Sequence, residues 1–181
     1  MNCIAILLFV VAGVAATNDH PNWNDLNQAL NTEYRVWVTT RSYQLDTYGQ
    51  THSCVYAKKT SMYGSRFYFD QYYDYGTQRV KHSLYGELSM QSTGPVLTVS
   101  KNEGEPGTAY TLKFWNPEKR CGILTFTDKA GETQCELHVS EQTLQESSDP
   151  NPCEKDYERV CDGFRNYHPY KPRCLTHAPG N

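Results

Sequence analysis

The chain has 181 residues, of which 38% are hydrophobic and 20% are charged, and its formal net charge is -3 at pH 7. A chain of this length suits one compact domain. Its 17 lysines and arginines are scattered, with only Lys58-Lys59 and Lys119-Arg120 adjacent, so we expect neither nucleic acid nor a membrane as a partner.

An apolar leader opens the chain. The apolar run 4–11 is too short to span a bilayer, and small residues follow it at 14–16. This pattern is typical of a cleavable signal peptide. We therefore predict a signal peptide over residues 1–16, removal of Cys3 with it, and one secreted domain over residues 17–181.

The predicted elements begin with a short helix over residues 22–30. Eight strands follow, because β-branched and aromatic residues, including most of the 14 tyrosines, alternate with polar ones. The predicted strands are 34–40, 53–58, 65–72, 78–88, 96–100, 109–115, 121–127 and 133–140. A helix over 152–160 closes the series, with Ser148-Asp149 as its capping stretch.

Short loops between consecutive strands favour an up-and-down antiparallel meander. Eight such strands form a barrel whose interior holds one small ligand. An immunoglobulin-like sandwich is the alternative. It is disfavoured because Cys153 and Cys161 lie in or beside the terminal helix, where they cannot pair across two sheets.

The cysteines of the predicted mature domain form an even set of six, which is typical of secreted domains held by disulfides. They are Cys54, Cys121, Cys135, Cys153, Cys161 and Cys174. With these thiols committed to bridges, and with no nucleophile elbow, HExxH or CxxC motif, the sequence offers no catalytic or metal-binding pattern. We predict that the protein is not an enzyme and has no cofactor and no metal.

The segments 121–124 and 135–138, followed by Cys153, resemble the signature of the tick salivary lipocalins of the histamine-binding protein family. The residues 22–25 and the closing Cys174 fit the same family. The resemblance implies an eight-stranded lipocalin barrel flanked by short helices. It also implies the bridges Cys54–Cys174 and Cys121–Cys153, after which Cys135–Cys161 is the pair that remains.

These bridges predict which side chains line the barrel. If the terminal helix lies outside, the bonded strand cysteines point outward and their neighbours point inward. The expected inward residues are Val55, Ala57, Gly122, Leu124, Phe126, Glu136 and His138. A carboxylate in a partly desolvated cavity needs a cationic or hydrogen-bonding partner, which is either a ligand or a residue such as His138 or a buried arginine.

The loop 43–48 resembles the segment that supplies a tyrosine, an aspartate and a large aromatic to an amine site in this family. Tyr43 and Asp46 match, and Tyr48 stands where the family has tryptophan. Gln78 stands where a second carboxylate is expected. The ligand-binding residues implied by the resemblance are therefore Tyr43, Asp46, Tyr48, Gln78 and Glu136, although Asp46 has turn capping as an alternative role.

Two departures from the amine-binding pattern are Gly122, in place of an acidic residue, and His138, in place of tryptophan or tyrosine. The implied function is sequestration of a small host mediator, preferably a biogenic amine such as histamine or serotonin, by a monomeric secreted protein that suppresses host defence at the feeding site. A fatty acid or leukotriene is the nearest alternative and needs an anchor such as Arg66 or Arg79. The other alternative is that the protein acts through its outer surface as an antagonist of a host protein, such as a complement component or a chemokine.

Overall fold

Eight strands close into one antiparallel barrel in the computed structural model, which describes residues 20–149 and 151–176. The predicted signal peptide lies outside these residues. The strands are β1 Val36–Arg41, β2 Asp46–Thr47, β3 Gln50–Thr51, β4 Ser53–Tyr63, β5 Arg66–Tyr75, β6 Gln78–Gln91, β7 Gly94–Ser100, β8 Thr108–Asn116, β9 Cys121–Thr127 and β10 Thr133–Ser140. The helices are α1 Trp23–Leu30, α2 Glu141–Glu146, α3 Glu154–Val160 and α4 Arg173–Thr176.

The strand order around the barrel is β1-β10-β9-β8-β7-β6-β5-β4, and β4 pairs with β1 to close it. Consecutive barrel strands along the chain are therefore neighbours, which confirms the predicted eight-stranded meander and excludes the two-sheet sandwich. The small hairpin of β2 and β3 in the connection from β1 to β4 was not predicted. Strands β4, β5 and β6 are also longer than predicted, because their alternating pattern continues into the turns.

Apolar side chains form two layers, one on each side of the barrel wall. The inner layer contains Leu26 of α1 together with Phe67, Phe69, Leu88, Leu97, Leu112 and Leu124. The outer layer includes Trp37, Tyr56, Ile123, Leu137, Val139 and Tyr157. Of these, Tyr157 belongs to α3. Because successive strand residues point to opposite faces, a wall covered on both sides is apolar at both odd and even positions.

Helix α1 packs against the barrel through Leu26, which is only 1% exposed. Its start is set by Asn22, whose side-chain oxygen accepts a 2.8 Å hydrogen bond from the Asn24 amide. The Asp25 carboxylate in turn accepts a 2.8 Å bond from the Asn22 amide, which completes a capping box. The predicted helix over 22–30 is thus confirmed, with Asn22 as its cap.

Three disulfides hold the C-terminal segment against the outside of the barrel: Cys54–Cys174, Cys121–Cys153 and Cys135–Cys161. All three predicted pairings are confirmed. The predicted helix over 152–160 is present as α3, but Cys153 occupies its cap position and Ser148-Asp149 does not cap it. Helices α2 and α4 were not predicted, since each is only one or two turns long.

No helix in the described part of the chain is long and apolar enough to cross a membrane. Across residues 20–149 and 151–176, no group of three or more His, Cys, Asp or Glu side chains is arranged to hold a metal ion.

Candidate ligand-binding site

Two adjoining cavities lie within the barrel. The inner cavity, of about 130 Å³, reaches Phe67 and Phe69 of β5 and Glu136 of β10. The helix-side cavity, of about 370 Å³, lies between α1 and β8 to β10. Both cavities share part of their lining, which consists of Leu30, Thr32, Tyr34, Val36, Leu124 and His138. Together they offer the interior volume that a small-molecule site requires.

The predicted inward orientation is confirmed for those residues that line one of the two cavities. Ala57, Leu124, Glu136 and His138 line the inner cavity, and Gly122 lines the helix-side cavity. The remainder of the inner lining is mostly apolar, from Val36, Phe67, Phe69, Leu84, Leu97, Val99 and Tyr110. A few polar groups in an apolar pocket are the usual composition of a ligand site.

Gly122 explains one departure from the amine-binding pattern in physical terms. A side chain at this position would approach Leu112 Cδ1 to 3.2 Å and the Trp115 ring to 3.3 Å. Trp115 is itself held by a 3.1 Å hydrogen bond from its indole nitrogen to Gln28 Oε1 in α1. An acidic side chain at position 122 would therefore require Leu112 or Trp115 to shift by a few tenths of an ångström.

Glu136 is the buried carboxylate of the inner cavity, with 6% of the residue exposed. Its Oε1 accepts a hydrogen bond from the Tyr43 hydroxyl, and its Oε2 lies 2.6 Å from His138 Nε2. Burial opposes ionisation of Glu136, but the bonds from His138 and Tyr43 and the charge of Arg41 together hold its pKa below the ordinary value. The carboxylate is therefore held in its charged form.

Tyr43 follows β1 and contributes to the aromatic wall behind Glu136. Its ring meets Phe126 edge-on at 5.5 Å, and Phe126 lies 4.7 Å from Tyr110. Burial raises the pKa values of the Tyr43 and Tyr110 hydroxyls, which keeps both neutral. Tyr43 is thus a fixed hydrogen-bond donor to Glu136.

Arg41 is a buried cation that the sequence analysis missed. It is 2% exposed, lies opposite Glu136 across the β1–β10 pairing, and has its guanidinium 5.0 Å from the Tyr43 ring. One Nη donates a 3.4 Å bond to the His52 carbonyl, whereas its Nε has no hydrogen-bond partner among the described residues. The only signal for it was its position at the end of a β-branched run.

The two arginines expected to anchor an acid in the lumen face outward instead. Arg66 has a side chain 57% exposed and lies 3.3 Å from Glu103. Arg79 pairs with Asp74 at 2.6 Å and lies 5.9 Å from the ring of Tyr56 in the outer layer. Strand alternation gives the reason, since Phe67 faces inward beside Arg66 on β5.

The cation that does line the inner cavity is Lys59, whose side chain is 13% exposed. Its Nζ donates a 2.8 Å hydrogen bond to Asn31 Oδ1 and lies 2.6 Å from Glu33 Oε1. The sequence analysis noted Lys59 only as part of an adjacent basic pair. Its inward orientation depends on its place on β4.

The five residues implied by the resemblance do not form one cluster. Tyr43 and Glu136 are bonded to each other, but Asp46 is exposed in β2, Tyr48 is 92% exposed, and Gln78 is exposed at the start of β6. The Asp46 carboxylate accepts a 3.2 Å bond from Gln44 Nε2. Neither cavity is lined by these three, so a ligand role for them stays a prediction.

Comparisons with known proteins agree with this architecture. The family model described as tick histamine binding protein matches residues 14–176. A search of curated proteins finds no match by sequence. Among solved structures, AM182 in complex with serotonin aligns with a TM-score of 0.58 and 13% identity, covering 82% of this chain and 91% of that chain.

Japanin from Rhipicephalus appendiculatus bound to cholesterol aligns with a TM-score of 0.55 and 15% identity, covering 81% of this chain and 98% of that one. At such low identity the two structures show a shared fold. The family model, in contrast, spans nearly the whole chain, from residue 14 to residue 176. On that match, this chain belongs to the tick histamine-binding protein family.

Proposed function

We propose that this protein sequesters a small protonated amine, such as histamine or serotonin, inside its barrel. In this proposal it is a secreted salivary protein that removes a host mediator and so suppresses host defence at the feeding site. The observation that carries the proposal is Glu136, a charged carboxylate buried in a mostly apolar cavity. Family membership and the serotonin complex of a similar fold support the same class of ligand.

A buried carboxylate attracts a cation strongly because little solvent screens the interaction. Tyr110 and Phe69 line the same cavity and present aromatic surface to a bound ligand. Aromatic faces attract ammonium groups and stack on flat rings. The inner cavity thus offers an amine both a counter-charge and a surface for its ring.

Calorimetry with histamine and serotonin tests this proposal. We expect about one site in the wild type and at least a tenfold loss of affinity in Glu136→Gln, since that change removes the charge and nearly preserves the shape. Glu132→Gln, at an exposed glutamate just before β10, is the matched control and should leave affinity unchanged. Equal affinity in wild type and Glu136→Gln would refute the proposal.

An amphipathic lipid acid is the second candidate, and Lys59 is the observation that favours it. The joined cavities are largely apolar, and Lys59 places a cation at the end of the inner cavity that adjoins α1. The cholesterol complex of japanin supports lipid binding within this fold. Arachidonate binding should weaken in Lys59→Met and persist in Lys58→Met, because Lys58 is exposed.

Native mass spectrometry of protein secreted by eukaryotic cells separates the two candidates. A lipid that co-purifies with the protein favours the second candidate. Protein that carries no added mass and gains the mass of serotonin on titration favours the first.

A further inference from the structure

His138 lies at the junction of the two cavities and lines both of them. It stands two residues after Glu136 on β10, so the two side chains project to the same face. Its Nε2 lies 2.6 Å from Glu136 Oε2, while the Tyr43 hydroxyl bonds Oε1. Both oxygens of Glu136 are therefore engaged by protein groups.

An ammonium group that reaches Glu136 competes with these two partners for the carboxylate oxygens. Tyr43 is packed against Phe126 and against the Arg41 guanidinium, which hold its ring in place. The His138 side chain is 23% exposed and borders the helix-side cavity of about 370 Å³. His138 is thus the partner that has space to move.

We infer that His138 determines the specificity of this site: its imidazole pairs with Glu136 when the barrel is empty and moves into the helix-side cavity when a ligand cation takes its place. This inference rests on the proposed function. It restricts the ligand to a compact cation that outcompetes imidazole for a carboxylate. A primary aliphatic amine meets this requirement, because its charge persists where histidine is neutral and it carries three donors.

The exchange has a proton balance. A protonated His138 that leaves Glu136 breaks an N–H bond and passes the proton to the buffer, while the ligand ammonium brings one positive charge to the carboxylate. The site keeps its net charge, and any proton that His138 held in the pair with Glu136, at most one per ligand, is released. The other titratable groups that share these cavities with His138 are Glu33, Tyr34, Lys59, Tyr110 and Arg120.

Three of these groups, Glu33, Lys59 and Arg120, are in ion pairs of their own, whereas Glu136 is the carboxylate that His138 contacts. Lys59 lies 2.6 Å from Glu33, and Arg120 lies 3.5 Å from Glu146. The apparent affinity for the amine should therefore be higher at the pH where the His138 imidazole is neutral, because only a charged imidazolium competes with the ammonium for the carboxylate.

Calorimetry with serotonin, which contains no imidazole, tests the inference. Titrations at about pH 6 in phosphate and in bis-Tris, which differ in ionisation enthalpy, count the protons released by the wild type. We expect release of a measurable fraction of one proton, and an affinity that is severalfold higher at about pH 7.5 than at about pH 6. The wild-type proton count requires no variant to fold.

His138→Gln retains a neutral donor toward Glu136, so we expect it to abolish both the proton release and the pH dependence of affinity. His82→Phe, at an exposed histidine of β6, is the control and should behave as the wild type. If Glu136→Gln loses affinity but wild type and His138→Gln release the same number of protons, this inference alone is wrong. If Glu136→Gln keeps its affinity, or the wild type binds no serotonin, the inference and the proposed function are both wrong.

Discussion

Lys59 Nζ lies 2.6 Å from Glu33 Oε1 and joins two parts of the molecule that are distant in sequence. Lys59 belongs to β4 and lines the inner cavity, whereas Glu33 and Asn31 lie in the connection between α1 and β1. Residues of this connection, such as Thr32 and Tyr34, line both cavities. The ion pair therefore holds the connection, which forms one wall of both cavities, against β4 of the barrel.

Lys59→Met should loosen this connection without unfolding the barrel. The Glu33 side chain is 85% exposed, so the ion pair itself contributes little to global stability. We expect faster amide hydrogen exchange at residues 31–34, with thermal stability nearly unchanged. Lys58→Met is the control, and equal exchange rates in both variants would show that Lys59 does not hold the connection.

Protonation of Glu136 should lower the stability of the fold in acid. Its pKa is lowered in the folded protein, so its stabilising contribution is complete above the unfolded value near 4.5 and is lost as the pH falls through the folded pKa. Glu136→Gln should remove this part of the pH dependence and cost roughly 3 kcal/mol at neutral pH, because it breaks a buried charged network. Urea unfolding between about pH 3 and pH 7 measures both effects. A variant whose stability declines in acid as steeply as that of the wild type would contradict the assignment.

Tyr43→Phe and Asp46→Asn should have very different effects on the stability of the fold. Tyr43→Phe removes the hydroxyl that bonds Glu136 and should destabilise the fold by roughly 1 to 3 kcal/mol, since a buried carboxylate oxygen is left unpaired. Asp46→Asn, in the exposed hairpin, should change stability by less than about 0.5 kcal/mol. Thermal unfolding of the two variants in parallel provides the measurement.

The same pair separates two positions for a bound amine. If the amine binds at Glu136, Asp46→Asn should leave serotonin affinity within about twofold, because Asp46 lines neither cavity. A tenfold loss in Asp46→Asn would instead place the amine at the exposed residues that the family resemblance implies, with Tyr48 and Gln78. Calorimetry on both variants distinguishes these outcomes.

The disulfides should differ in their contribution to stability according to the loops they close. The Cys54–Cys174 bridge spans 120 residues, and the Cys135–Cys161 bridge spans 26. In the chain-entropy model, replacing each pair by alanine lowers the free energy of unfolding by roughly 5 and 3.5 kcal/mol, respectively. Denaturant unfolding of the two double variants tests this order. A larger loss of stability on removing Cys135–Cys161 than on removing Cys54–Cys174 would contradict it.

Much of the fold was predictable because its signals are local. Alternating β-branched and aromatic residues predicted the eight barrel strands, and the loosely amphipathic spacing of Trp23, Leu26 and Leu30 predicted α1. The inward orientation of Glu136 and His138 followed from Cys135, which precedes them on the same strand and points outward, once a helix outside the barrel was assumed. The β2–β3 hairpin escaped prediction because its two-residue strands carry no periodicity.

The cations of the site were not predictable in the same way. In β1, Trp37 and Thr40 both face the outer layer, where Thr40 bonds Glu154 of α3, because a bulge between Val38 and Thr40 changes the alternation. Arg41 consequently lies among the inner residues. A bulge shifts every later side chain of a strand to the opposite face, and alternation alone does not locate it.

By itself, the sequence determined the even cysteine set, the meander of eight strands and the presence of one carboxylate directed into the barrel. The tertiary structure alone decided that His138 and Tyr43 pair with that carboxylate, that Arg41 is buried and Lys59 lines the inner cavity, and that Asp46 is exposed. The physical reason is that side-chain partners depend on register, bulges and loop paths, which bring together residues far apart in the chain.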